Sequence, residues 1–465
     1  KGSFFQYTNR TKTLAGRLAL VKILTGNSTI AIQEKQNAIK ELAEEPKWRQ
    51  QFSALASRIQ SEVSPSFIVD WLKEYQLFLP SVIRKLTYVF SFVSVTLIAL
   101  VIFNQIAFSW ITIWFFLGLG ISGKYFKKIN KLSEVASKVK DTFQQYYKLI
   151  NKIEEASFLS KNLSEKYESL IFHEKKASLV VKMFSKALDA LDQRNNLLIS
   201  IVGNGLFLMD IKNASNIENW IAKYGANVEK WFEAVAYFDA QNSLANFAFN
   251  HQKFTFPEIV KRTTVMEAKE FGHPLLKESK RITSDCQINA QQFFIVTGAN
   301  MAGKSTFLRT VSLGIVMANS GLPVCAAEMK YAPVKLITSM RTSDSLTEDS
   351  SYFFSELTRL KFIVEALKDE HYFIILDEIL KGTNSIDKAE GSKKFVEKLV
   401  NLKSTGIIAT HDLTLCEIEK EYNQIRNHYF DAEIINDELY FDYRLKDGVC
   451  QNMNASFLLK KMEIV

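Results

Sequence analysis

The hydrophobic pattern of this 465-residue chain changes character three times along its length. Apolar residues first recur at three- and four-residue spacing, in TKTLAGRLALVKILTG and IAIQEKQNAIKELAEE. Residues 1–80 are therefore expected to be helical, punctuated at Gly26 and Pro46. The polar face then disappears. From 86 to 123, LTYVFSFVSVTLIALVIFNQIAFSWITIWFFLGLGISG contains no Asp, Glu, Lys, Arg or His. Such a run is about twice the roughly 20 residues of one membrane-spanning helix. Asn104-Gln105 is its one clear polar break, leaving two stretches of about 17 residues each, short but adequate for spanning. The natural reading is two transmembrane helices joined by a tight turn. The competing reading, a helical hairpin buried in a soluble core, would show a polar stripe, and none is present. Arg84 and Lys85 precede the run and Lys124, Lys127 and Lys128 follow it, so the positive-inside tendency puts both flanks in the cytoplasm. The expected localisation is a membrane, with the bulk of the chain cytoplasmic. A signal peptide is excluded by the internal position and the missing small-residue cleavage pattern.

Residues 124–195 are rich in Lys and Glu, with regularly spaced apolar positions and no proline, which predicts long helices acting as solvated levers or coiled-coil arms. A second apolar stretch, NLLISIVGNGLFLMDI at 196–211, is interrupted by Gly203, Asn204 and Gly205 and reads as a buried helix rather than a third span. Helix is expected to continue over 212–250, with Trp220, Trp231 and Phe232 as packing anchors. From about residue 260 the texture changes to short β-rich runs alternating with helical ones: FFIVTG, YFIILDE, STGIIAT and ELYFDYRL. Strands alternating with helices predict an α/β sheet. An α/β domain thus follows a helical, membrane-attached N-terminal half.

Length alone suggests two to four domains. A chain beginning at Lys1 rather than methionine reads as a fragment. Its Lys and Arg exceed its Asp and Glu by 58 to 50, a net charge of +8, compatible with a polyanion, with an anionic lipid surface or with an ordinary lysine-rich surface. Cys286, Cys325, Cys416 and Cys450 form no CxxC pair, so neither a disulfide framework nor a zinc site is signalled.

The chemistry concentrates in the C-terminal half. Gly298, Ala299, Asn300, Met301, Ala302, Gly303, Lys304 and Ser305 match GxxxxGK[ST] in full, after the strand FFIV and before a helical run that starts through Thr306. The glycines permit close backbone approach, successive N–H groups face phosphate oxygens, Lys304 neutralises β/γ charge, and Ser305 can ligate Mg²⁺. In HYFIILDEIL, Asp377 and Glu378 end an apolar strand. Asp377 can hold Mg²⁺ through water, and Glu378 can orient or deprotonate an attacking water. TGIIATHDL ends another strand at His411, which spacing alone leaves open between a structural and a phosphate-sensing role.

These residues resemble the MutS family of DNA mismatch-repair ATPases. TGANMAGKST looks like that family's phosphate loop, in which Asn-Met is unusual among P-loop proteins. LDEILKGTNSIDKAEGS resembles its Walker B run, with Gly382, Thr383 and Asp387 in the dimer-facing loop, and ATHD resembles its histidine switch, favouring a sensing role for His411. MRTSDSLTEDSSYFFSELTRL is similar to the family's signature segment, where a serine before an aromatic pair reaches the partner subunit's γ-phosphate. By position that serine is Ser351, with Ser350 the near alternative, although Asp349 and Ser350 stand where glycine and arginine are common. FGHPLL, 271–276, is similar to the family's HPL segment at the adenine side of the pocket, which places Ile282 near the base. The resemblance covers roughly residues 5–80 and 130–460. The apolar run is foreign to its mismatch-repair members and points to a membrane-associated, MutS-related branch.

The resemblance implies a fold class of α plus α/β: a helical core and lever domain over 1–85 and 124–255, a transmembrane hairpin inserted at 86–123, and an ABC-type P-loop ATPase domain over 256–465 ending in a C-terminal dimerisation segment. It implies ATP and Mg²⁺ as ligands, a homodimer through the ATPase domains, and DNA as a partner. Catalysis falls to Glu378, Lys304, His411 and Ser351, and metal binding to Ser305 and Asp377. Mismatch readers of the family insert a phenylalanine from Phe-x-Glu on an N-terminal domain. Here FHE, 172–174, matches the letters but falls in an expected lever helix and is assigned to chance. The alternative function is a membrane-anchored, ATP-driven switch acting on a protein or lipid partner without DNA. A transporter is disfavoured, because the spans carry no ionisable residue and no repeat.

Overall fold

The structure is a computed structural model that describes residues 2–59, 63–172, 174–261, 264–340, 352–435 and 438–451. It divides into two compact units. One combines Lys1–Asn9, Val21–Glu44 and Ser243–Val465; the other combines Arg10–Leu20 and Glu45–Asn242.

The second unit is helical. Pro46 opens the helix Pro46–Ala56 at its first turn, where a missing N–H is harmless. The uncharged run begins within the helix Ser81–Ile102, turns at Asn104 with φ 54°, and returns in the helix Ser109–Glu154. Val82–Ile102 is the one unbent helix among the described residues long and apolar enough by itself to cross a membrane. The returning arm falls short of that standard. Its apolar part is interrupted by Gly118, Gly120, Ser122 and Gly123 and gives way to Lys124. No break marks that point: the returning helix runs unbroken for 46 residues, about 69 Å at 1.5 Å per residue.

The expected long helices of 124–195 are interrupted. After Lys161–Glu168, a two-stranded antiparallel hairpin pairs Ile171–Phe172 with Lys175–Lys176, and Ala177–Asp192 follows. Of the FHE letters, Phe172 therefore ends a strand and Glu174 lies in the left-handed region at φ 64°, so neither is in a helix. Trp220 and Trp231 are buried as anticipated: Phe184 stacks on Trp220 at 3.9 Å, and Phe143 meets Phe184 edge-on at 4.7 Å. The helix over 212–250 is interrupted by a 3-10 turn, Gly225–Asn227. Buried Glu218 ties down the approach to the uncharged run, accepting N–H bonds from Phe78 at 2.8 Å and Leu79 at 3.1 Å.

The stretch 196–211 departs from expectation. Leu197–Phe207 is a short helix that buries Gly203, Asn204 and Gly205 and exposes Leu197, Leu198, Ile199, Ile201 and Val202. The small residues give the close-packing face because they let neighbouring backbone approach. A Cβ on Gly205 would sit 2.2 Å from the Phe115 ring, and one on Gly118 would sit 2.2 Å from the Gly205 carbonyl.

The first unit contains the α/β architecture. Its six-stranded sheet comprises β1 (Phe293–Gly298), β2 (Lys335–Ser339), β3 (Tyr372–Asp377), β4 (Thr405–Ala409), β5 (Ile425–Phe430) and β6 (Leu445–Asp447). The spatial order is β6-β5-β1-β4-β3-β2, all parallel except β6. Continuous apolar runs such as FFIV and FIIL suit strands covered on both faces, and β1 and β4 are buried throughout. Ile295, Ile374, Leu376 and Ile408 pack with Leu360, Ile363, Val396 and Leu399 from the helices Tyr352–Asp369 and Ser385–Asn401. ELYFDYRL, expected as one strand, is two: Glu438–Tyr440 pairs with Glu433–Ile435, Tyr443 breaks the run at φ 54°, and β6 follows. A separate four-stranded sheet holds Thr264–Phe271 between Ser284–Asn289 and Glu328–Tyr331, with Glu258–Ile259 at its edge.

Candidate nucleotide site

Parallel pairing carries three loops to one edge of the sheet. Ala409 of β4 lies opposite Asp377 of β3 and Val296 of β1, so the residues following each strand emerge together. Glu378 continues that alignment, its N–H donating to the Ala409 carbonyl at 2.9 Å. His411 lies two residues beyond β4.

The loop from β1 turns on left-handed residues: Gly298 at φ 139°, Met301 at 68° and Gly303 at 117°. At Gly298 no other residue fits, because a Cβ would stand 2.5 Å from the Phe430 carbonyl oxygen on β5. Ala302 is buried and Asn300 and Met301 are exposed, so the loop is pinned at its base and open at its crest. Lys304 begins the helix Lys304–Asn319, and its buried ammonium donates to the carbonyls of Gly298 at 2.7 Å and Ala299 at 2.9 Å. The lysine thus braces the loop whose N–H groups, with the helix N-terminus, form a cradle suited to an anion.

Ser305 and Asp377 meet as the sequence predicts, with Ser305 Oγ donating to Asp377 Oδ2 at 3.0 Å. Asp377 is buried, and its other oxygen, Oδ1, has no hydrogen-bond partner among the described residues. A buried carboxylate oxygen left without a donor is costly unless a cation completes it. Its hard oxygen and the neighbouring hydroxyl suit Mg²⁺. Among the described residues no group of three His, Cys, Asp or Glu could hold a metal alone. A cation here would take its other ligands from phosphate oxygens and water, as Mg²⁺ commonly does.

Glu378 is held in the left-handed region, φ 50°, with its carboxylate between His411 Nε2, 3.1 Å from Oε1, and the Lys381 ammonium on Oε2. The His411 hydrogen bond, reinforced by Lys381, holds this carboxyl far below the usual carboxylate range, overriding the opposing effect of burial. The loop carrying Lys381 is fastened by Glu356, whose carboxylate accepts the N–H of Leu380 at 2.8 Å and of Lys381 at 3.3 Å. Sequence reasoning assigned no role to Lys381 or Glu356, although both lie inside the quoted segments LDEILKGTNSIDKAEGS and MRTSDSLTEDSSYFFSELTRL; only the fold brings Glu356 across to the loop carrying Lys381. Gly382 and Thr383 follow, and Asn384 caps the helix Ser385–Asn401 by accepting the Asp387 N–H at 2.9 Å.

A cavity of about 360 Å³ opens beside the loop, lined by His273, Ile282, Gly303, Thr306, Phe430 and Tyr443 among others. It brings the HPL segment and the half-exposed Ile282 beside Gly303 and Thr306. Tyr443 was not foreseen, lying far along the chain without a motif. Ser351 and its alternative Ser350 lie outside the described residues, as does the C-terminal segment beyond Gln451.

The family described as MutS domain V matches residues 294–461. The DNA mismatch repair protein MutS of Persephonella marina is 31% identical over 237 residues, 50% of this chain and 27% of that protein. MutS protein homolog 4 of Homo sapiens is 29% identical over 213 residues, 43% of this chain and 22% of that protein. The DNA mismatch repair protein MSH4 of Arabidopsis thaliana is 29% identical over 177 residues, 37% of this chain and 22% of that protein. The chain therefore spans only 22% to 27% of these relatives' lengths. The loop, the strand-end carboxylates and the histidine beyond β4 all lie within the matched region, and it is residues 294–461 that match the MutS domain V family.

Proposed function

We propose that the chain is a MutS-type ATPase that binds DNA, pairs through its ATPase domains so that each nucleotide site is completed by a second subunit, and is tethered to a membrane by the run 86–123. The observation that carries the enzymatic part is the convergence of Ser305, Asp377, Glu378 and His411 beside the phosphate cradle. In this reading the β- and γ-phosphates of ATP lie against the N–H groups of 298–306, Lys304 balances their charge, and the base occupies the cavity beside Ile282 and Tyr443. Ser305 and Asp377 would hold Mg²⁺, which when bound neutralises phosphate charge. Glu378 accepts a proton from the attacking water, and His411, touching Glu378, senses whether the γ-phosphate is present. Ser351 from the partner completes the site, and the nucleotide state switches the lever helices. DNA binding and a role in DNA repair or recombination at the membrane are drawn from the family resemblance and the basic charge.

The membrane part rests on the outer surface of the uncharged run. Phe92, Ile102, Phe103, Phe108 and Phe116 are exposed, while Phe90 stacks on Trp114 at 4.3 Å and the Trp114 indole donates to Ser94 at 2.8 Å. Polar groups turned inward and large apolar ones outward suit a lipid surroundings.

Steady-state ATP hydrolysis by the purified chain is expected to rise on adding homoduplex, mismatched or branched DNA, with DNA affinity falling steeply as salt rises. No affinity at low salt and no stimulation would overturn DNA as partner and favour the membrane switch acting on a protein or lipid. Lys381→Ala is expected to raise basal turnover about two- to tenfold, because removing the ammonium restores basicity to Glu378. A fall in turnover with nucleotide binding intact would instead make Lys381 a direct contributor to hydrolysis.

A further inference from the structure

We infer that Leu197–Phe207 is a third membrane-inserted element, a half-helix that enters the same leaflet as the base of the uncharged hairpin and stops near its middle. The inference rests on the membrane reading of 86–123. Leu197 and Leu198 are 71% and 75% exposed, and Ile199, Ile201 and Val202 share the uncovered surface. The occupant argued for is the acyl region of a bilayer, because this surface continues that of the hairpin.

The depth follows from contacts. At its start, the Arg194 guanidinium lies 5.5 Å from the Phe126 ring, level with the basic residues Lys124 and Lys127. At its end, Gly205 packs against Phe115 and Gly118. On the other arm, the Leu206 and Phe207 carbonyls meet Ser94 and Ser91. Ser94 lies nine residues beyond Lys85, about 14 Å along a helix, half of the roughly 30 Å hydrocarbon thickness. The element has 11 residues, about 16 Å. It then ends at Leu208, φ 47°, where the chain bends by 84° into the next helix.

A helix that stops inside hydrocarbon must satisfy its terminal backbone groups within the protein. Both ends of this one are provided for. Asn196 accepts the N–H groups of Leu198 at 3.1 Å and Ile199 at 3.3 Å, and the hydroxyls of Ser91 and Ser94 reach the final carbonyls. The charges beside it are neutralised: Arg194 and Asp210 form a buried pair at 3.1 Å, and Asn204 accepts the Asp210 N–H at 2.9 Å. Exposed Arg84, Lys85, Lys124, Lys127 and Lys128 surround the base, the charge complement of an anionic headgroup layer.

The test is acyl-chain photolabelling of the whole chain in phosphatidylcholine–phosphatidylglycerol vesicles that carry a diazirine on the lipid tail, with labelled peptides identified by mass spectrometry. Peptides covering 86–102 and 197–202 are expected to carry label about tenfold or more above the buried strand 293–298, as lipid contact requires. Label in 86–102 with background in 197–202 overturns the inference and leaves the hairpin reading standing; the surface would then be covered by a second copy or another protein. Background in both overturns the membrane reading and this inference with it.

Discussion

Glu378→Gln lowers steady-state ATP turnover by about 10²- to 10⁴-fold, the usual contribution of a positioned general base, and leaves nucleotide affinity near that of the parent chain. The amide keeps the shape of the side chain and can still meet His411, but it cannot take a proton from water. Measuring turnover beside equilibrium binding of ATP separates the two effects, and unaltered hydrolysis would remove Glu378 from the mechanism. The pH dependence adds a second check. His411 and Lys381 hold Glu378 below the usual carboxylate range, so its protonation does not limit turnover between about pH 5 and 9. The sign for stability follows from the same shift. A depressed folded-state pKa contributes stability above the unfolded value, about 4.3, and loses it as the pH falls through the folded value. Acid unfolding below about pH 4 should therefore lose this contribution in the parent chain and lack it at every pH in Glu378→Gln.

Asp377→Asn has two effects of opposite direction. The buried Oδ1 has no donor among the described residues, so replacing the carboxylate by a neutral amide stabilises the metal-free chain by about 1–3 kcal/mol. The same change removes the negative oxygen best suited to Mg²⁺, and turnover falls about 100-fold or more, with a higher Mg²⁺ concentration required for half-maximal rate. Thermal unfolding in the presence of a chelator and turnover across a Mg²⁺ titration read these separately. A variant destabilised without metal would show that the empty carboxylate carries no such cost, and one with an unchanged Mg²⁺ requirement would remove Asp377 as a metal ligand. A site that is costly when empty and productive when filled is the expected trade between stability and activity.

The two predictions draw on residues that the sequence made legible, because each sits at the end of an apolar run next to a fixed motif. Parallel pairing then brings strand ends to one edge, so the convergence of Asp377, Glu378 and His411 with the phosphate loop follows from local signals plus a sheet. Glu356 and Tyr443 could not be assigned a role that way. Each lies in a quoted segment, but it reaches the neighbourhood through tertiary packing, and its own letter does not mark that contact. The same distinction explains the errors in the helical unit. Periodicity over 124–195 does not register a hairpin as short as Ile171–Phe172 with Lys175–Lys176, whose connection includes the left-handed Glu174. The pattern predicts that Gly203 and Gly205 interrupt a buried helix, whereas they form its packing face and leave the leucines outside.

The unbroken helix Ser109–Glu154 has a mechanical consequence. Its backbone hydrogen bonds pass Gly118, Gly120 and Gly123 without a hinge, so its two ends cannot reorient separately. Tilting such a rod by about 10° about one end sweeps the other through about 12 Å, given its length of about 69 Å. A displacement of a single turn at the Glu154 end therefore becomes a change in the angle at which the Trp110 end lies, and a restraint on that angle becomes a load at Glu154. The apolar segment and the charged helical stretch after it are one stiff body, so under the proposed membrane reading the local thickness and packing of the bilayer would act as a load at the Glu154 end.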